Sequence, residues 1–132
     1  MVYRRLSEGD RRRFQRLDLS INVLYRVDQP LEVRMKIGDK EIEATTINLS
    51  KGGMAFLTDY DIPVWSSLLI KFTLSRMDKE GKVSLYGPME ISGEVRSSIP
   101  LENKVRRLGI CFIRIERKDS QEIINFLEAV RH

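Results

Sequence analysis

Two short segments, roughly thirty residues apart, hold the side chains best suited to chemistry: Arg12-Arg13-Phe14-Gln15-Arg16 and Asn48-Leu49-Ser50-Lys51-Gly52-Gly53. The first is an Arg-x-x-x-Arg in a single register, since the fourth residue after Arg11 is Gln15 and after Arg13 is Leu17. The pair is therefore Arg12 and Arg16. A guanidinium is a planar fork that matches phosphate oxygens or the paired acceptors on the Hoogsteen edge of guanine, which a point-like ammonium does less well. The second segment is Asn-x-Ser-x-x-Gly. Its amide and hydroxyl each donate and accept hydrogen bonds, and its glycine lets a ligand approach where a Cβ would block the way. Together these groups suit a ligand that carries both phosphates and guanine edges.

Elements of regular structure must hold these groups. After the arginines, Ile21, Val23 and Tyr25 recur at every second position, as in a half-buried strand. The same alternation at Leu31, Val33, Met35 and Ile37 predicts another strand, with Gly38-Asp39 as a two-residue hairpin leading into Lys40-Glu41-Ile42. Further strands are expected over 54–57, 68–74, 89–96 and 108–115, with turn signals at Asp61-Ile62-Pro63, Gly87-Pro88 and Ile99-Pro100. Ile42 and Ala44 place even positions inward, whereas Ile47 and Leu49 place odd ones there. A bulge near Thr45 and Thr46 would reverse the parity and set Asn48 and Ser50 on the outward face; otherwise Thr46 is a polar residue tolerated in the core.

The last stretch reads as a helix. Asp119 is expected to cap it, with Glu122 completing a capping-box-like pair. Ile123, Ile124, Leu127 and Val130 form its apolar stripe, with Phe126 at the margin. Short strands at regular spacing followed by one helix imply a small antiparallel barrel.

At 132 residues, with 42% hydrophobic and 32% charged residues, the chain is sized and composed for one globular domain. The net charge of +4 is unevenly placed: residues 1 to 19 carry six arginines against three acidic residues, leaving the remainder nearly balanced. A duplex-binding protein would spread its basic residues over a face, and a single-strand binder would interleave aromatic platforms with them. Neither DNA nor RNA is expected as a partner. Cys111 is the one cysteine and His132 the one histidine, which excludes an internal disulfide and a histidine-activated thiol. Cys111 is expected to be a small packed strand residue. No nucleophile elbow, phosphate-binding Gly-Lys-Ser/Thr loop or zinc-protease motif occurs, so no enzyme and no catalytic residue are expected. No apolar run approaches a membrane span, and residues 1–6 lack a signal-peptide core. A cytoplasmic protein is expected.

With its two motifs in this order, the chain resembles the PilZ domain family, bacterial receptors for the second messenger cyclic di-GMP. The family pattern is Arg-x-x-x-Arg in an arm before the first strand, followed by Asp/Asn-x-Ser-x-x-Gly at a strand end and turn. Leu108-Gly109-Ile110-Cys111-Phe112 is similar to the Gly-x-x-Phe strand near the end of such domains. The resemblance implies an all-β fold, a six- to seven-stranded PilZ-type β-barrel with a C-terminal α-helix, as one domain over 1–132. Within it, 1–19 would be a flexible arm, 20–116 the barrel and 117–132 the helix. It implies cyclic di-GMP as ligand, with no other cofactor and no metal. Arg12 and Arg16 would contact guanine and phosphate, Asn48 and Ser50 would read the guanine edge, and Gly53 would leave the approach clear. Arg11 adds a guanidinium that could stack on a purine and favour two intercalated nucleotides. Clamping of the arm would present a changed surface to a downstream protein partner that no segment identifies. The alternative is a nucleotide-independent PilZ-like adaptor, but such members tend to lose one of the two motifs and this chain keeps both. Asn48 replaces the commoner aspartate, and Trp65 stands where many relatives place a turn glycine.

Overall fold

Apolar residues at every second position close this chain into a ring of strands. The structure is a computed structural model that describes residues 2–3 and 17–131. Its elements in chain order are β1 (Val2–Tyr3), β2 (Leu17–Gln29), α1 (Leu31–Ile37), β3 (Ile42–Ser50), β4 (Gly53–Thr58), β5 (Ser67–Met77), β6 (Val83–Pro100), β7 (Arg106–Arg114) and α2 (Arg117–Arg131). On β2, Leu19, Ile21, Val23, Tyr25 and Val27 are buried, while Ser20, Asn22 and Leu24 between them are exposed. This is the two-residue period of a strand with one wet face. The strands pair in the order β1-β2-β3-β4-β7-β6-β5, and β5 returns to pair with β2. Six strands thereby form a closed antiparallel barrel, as expected. β1 pairs with β2 at Leu19 and Ser20, on the stretch of that edge β5 does not reach. Part of the segment expected as a flexible arm is thus strand: Val2–Tyr3 pair with β2, and β2 itself begins at Leu17 rather than after residue 19.

The barrel interior is filled from all six strands. Tyr25 and Phe56 stack with centroids 4.9 Å apart, and the Tyr25 hydroxyl shares a 2.6 Å hydrogen bond with Thr58 Oγ1. α2 packs against β5 and β6. No helix among the described residues is long and apolar enough to cross a membrane.

Five local expectations are corrected. Leu31–Ile37 is a helix, not a strand. An alternating pattern also contains i, i+4 pairs, and here Val33 and Ile37 pack on the core while Leu31 and Met35 point to solvent. Pro30 at the start, Glu32 in the first turn, Lys36 in the last and Gly38 after it are helix punctuation that outweighs the alternation. Gly38, at φ +102°, ends this helix instead of turning a hairpin. Asp119 lies inside the first turn of α2, which starts at Arg117, so it is not the cap. Phe126 is fully buried with Ile123 at the centre of the helix stripe, not its margin, and meets Tyr86 edge to face at 5.4 Å. Gly87-Pro88 does not separate strands; it lies within β6, where the register against β5 steps between Phe72 and Leu74.

Candidate functional site

The turn between β3 and β4 is built from small residues that hold one another. Ser50 and Gly53 are cross-strand partners, leaving Lys51-Gly52 as the connection. Ser50 Oγ accepts the Gly52 N–H at 3.2 Å, a serine-closed turn of the kind that fixes a short loop. The Gly52 carbonyl accepts the Phe112 N–H from β7 at 2.9 Å, so the Gly-x-x-Phe strand fastens the turn. Gly53 sits so close to β7 that a Cβ would collide with the Ile110 carbonyl oxygen. Its small size is demanded first by strand packing.

Upstream of the turn, the predicted parity change takes place. Thr46 is fully buried, with its hydroxyl 3.6 Å from Met54 Sδ, and Leu49 is fully buried too. The β3–β4 register steps between Thr46 and Asn48, making Ile47 the extra residue. Ile47 is therefore half-buried at the bulge rather than part of the core. Both sequence readings hold at once: Thr46 is a core polar residue and a bulge follows it. The bulge turns Asn48 and Ser50 to the face opposite Leu49, where they are nonetheless only 5% and 6% exposed. The Asn48 Oδ1 atom is buried and finds no hydrogen-bond donor among the described residues. An unpaired buried acceptor of this kind costs about 1–3 kcal/mol.

These residues line a cleft of about 440 Å³. One wall is the β3–β4 turn with Asn48, Ser50 and Gly53; the other comes from β6 and β7 and contributes Arg96, Ser97, Ile99, Arg107 and Cys111. Cys111 is a free, half-buried thiol at the cleft, not a fully packed one. Sequence reasoning missed Arg96 and Arg107, two arginines that line the wall. Their signal was faint: inward Ile91, Gly93 and Val95 alternate regularly, and the break comes at the polar pair Arg96-Ser97.

Arg11, Arg12 and Arg16 lie outside the described residues. The chain leaves Arg16 directly into β2, where Leu17 is opposite Leu49 and Asp18 is opposite Asn48. The arginine motif is thus joined to the barrel beside the Asn-x-Ser segment.

The molecule is thus a closed six-stranded barrel with a C-terminal helix, whose cleft lies between a strand-end turn and the adjoining rim. The PilZ domain family model matches residues 10–129, and the chain belongs to this family. Solved structures share the fold. The Bacillus subtilis inhibitor of motility MotI/DgrA is 21% identical with a TM-score of 0.64, covering 92% of this chain and 52% of that one. The MrkH–c-di-GMP complex of K. pneumonia is 16% identical at a TM-score of 0.60, with coverage of 92% and 52%. The PilZ domain of Escherichia coli YcgR, solved with c-di-GMP, is 14% identical at 0.54, with 91% of each chain covered. The chain therefore spans about half the length of MotI/DgrA and MrkH and most of the YcgR domain. No curated protein matches it in sequence.

Proposed function

We propose that the chain is a cyclic di-GMP receptor in which the cleft beside the β3–β4 turn takes the nucleotide and the Arg12/Arg16 segment closes over it. The observation that carries this reading is the buried Asn48 Oδ1, with no donor among the described residues, in a cleft shared with Ser50, Gly53 and two arginines. Guanine offers ring and exocyclic N–H donors that such an oxygen can accept. Arg107 adds positive charge for phosphates, and Arg12 and Arg16 stand in the sequence just ahead of β2. Two of the solved structures similar to this chain contain c-di-GMP, which supports the ligand class.

Each charge-assisted hydrogen bond contributes about 1.5–3 kcal/mol, so loss of either motif arginine weakens binding at least tenfold. Ligand closure of the segment ahead of β2 converts nucleotide concentration into a changed surface for a protein partner. Arg11 favours a stacked pair of nucleotides, which a stoichiometry of two per chain would establish and one would refute.

The deciding experiment is calorimetry with cyclic di-GMP, GTP and cyclic di-AMP on the natural chain and on Arg16→Ala. Heat with cyclic di-GMP alone, abolished by the substitution, is the expected result. Silence with all three nucleotides would leave the nucleotide-independent adaptor. Proteolysis checks the closure step: nucleotide should protect bonds within 1–19, and equal cleavage in both states counts against it.

A further inference from the structure

On the cleft wall formed by β6, Arg96 occupies an unusual backbone position. The register between β6 and β7 steps from Val95 opposite Ile110 to Ser97 opposite Gly109, which leaves Arg96 as the extra residue of a bulge. Such a residue is re-aimed relative to the alternation of its strand. Gly109 lies close against the bulge, where a Cβ would press on the Ser97 hydroxyl and turn it aside.

The guanidinium is held from two sides. Its Nε lies 2.6 Å from Glu94 Oε1. This is an ion pair of poor angle, since the same buried oxygen accepts no hydrogen bond. The Arg96 Cζ lies 5.1 Å from the centroid of the Trp65 ring, a cation–π contact. The turn that carries Trp65 is itself pinned to the bulge: Trp65 N–H donates to the Val95 carbonyl at 2.7 Å, and Val95 N–H donates to the Ser66 carbonyl at 2.9 Å. Trp65 adopts φ +78°, a conformation in which glycine is unstrained and a bulky aromatic is not. Backbone strain maintained at a position that braces a binding-site arginine points to a purpose for the ring.

We propose that Arg96 is a purine-stacking plate of the cleft and that Trp65 and Glu94 are its positioning residues. The inference rests on the cyclic di-GMP reading and adds to it a base-face contact supplied by the barrel itself, independent of the arginines ahead of β2. Glu94 offsets the charge of the guanidinium, which makes phosphate a poorer partner for it. What remains is a flat, polarisable group that lines the cleft with its side chain half exposed. Such a plate, backed by an aromatic ring, suits the face of a base.

The test is calorimetry of cyclic di-GMP on the natural chain, Arg96→Ala, Arg96→Lys, Trp65→Gly and the double variant, each with its melting temperature. Arg96→Ala should weaken binding about tenfold, and Arg96→Lys should fall with it, because an ammonium keeps the charge and loses the plane. Trp65→Gly should weaken binding about threefold in the natural background and not at all in Arg96→Ala, as expected for a residue that acts through another. Natural affinity in Arg96→Ala, with heat retained, overturns this inference and leaves the receptor reading intact. Natural affinity in Arg96→Lys alone overturns stacking in favour of charge, and additive losses overturn the role of Trp65. Silence of the natural chain removes the receptor reading and this inference together. If Arg96→Ala melts early, Arg96→Lys carries the comparison.

Discussion

Two residues that line the cleft, Asn48 and Gly53, and one beside it, Trp65, separate what the fold needs from what a ligand would use. Asn48 carries a buried oxygen with no donor among the described residues, so Asn48→Ala removes a liability from the fold and, in the proposed receptor, a recognition group from the cleft. Its expected signature is a melting temperature within a few degrees of the natural chain and cyclic di-GMP affinity at least tenfold lower by calorimetry. Gly53 behaves in the opposite sense. A methyl group there meets the Ile110 carbonyl, so weak binding in Gly53→Ala would report the β4–β7 contact before any contact with ligand. Trp65 is strained at φ +78°, a state that costs on the order of 1–3 kcal/mol for a non-glycine residue. Trp65→Gly recovers part of that against the greater chain entropy of glycine. We expect about 1 kcal/mol of added stability, or roughly 3–6 °C in a thermal melt, despite the weaker binding.

Among the elements, α1 and α2 show how neighbours decide between periods. The residues of α1 satisfy both a two-residue and a four-residue spacing. The helix prevails because Pro30 and Gly38 bracket it and because Val33 and Ile37 reach the core from one face. The bulge at Ile47 was foreseeable from parity, since Ala44 and Leu49 cannot both face inward on a regular strand. Its consequence, the burial of Asn48 and Ser50, depends on the wall opposite. The bulge at Arg96 left almost no mark in the sequence. It arises from the approach of β7 at Gly109 and from the turn bonded to Val95. In α2, Ile123 and Phe126 are fully buried against the sheet. Phe126→Ala should cost about 3–5 kcal/mol, from lost apolar burial and the cavity left beside Tyr86. Chemical denaturation should show this as a lower midpoint with unchanged slope.

For the molecule as a whole, Tyr25 ties the interior to alkaline stability. Burial raises its hydroxyl from 10.0 to about 12, against the weaker opposing effect of the Thr58 hydrogen bond. The neutral phenol is the form the folded state accommodates. Its contribution is complete below pH 10, where the unfolded chain also holds the proton, and is lost as pH rises from 10 towards 12. At about 1.4 kcal/mol per tenfold change, this corresponds to on the order of 2–3 kcal/mol. Unfolding midpoints measured from pH 8 to 12 should fall above pH 10, and the fall should be shallower in Tyr25→Phe. Equal slopes in the two proteins would assign the alkaline loss to other groups.

Local order along the chain was enough to determine a great deal. Alternating apolar residues, turn signals and the terminal amphipathic stretch specified an all-β barrel with one closing helix, because each strand must bury one face and each helix one stripe. The spacing of Asn48, Ser50 and Gly53 likewise placed the first two at a strand end and the third just past the turn that follows it. The long-range contacts were decided only in three dimensions. Closure of β5 onto β2, the approach of β7 to Gly53 and the second bulge join residues far apart in the chain, and no one-dimensional period encodes such meetings. Arg96 and Arg107 became part of the candidate site for that reason. Their neighbours in the cleft are contributed by strands some fifty residues earlier.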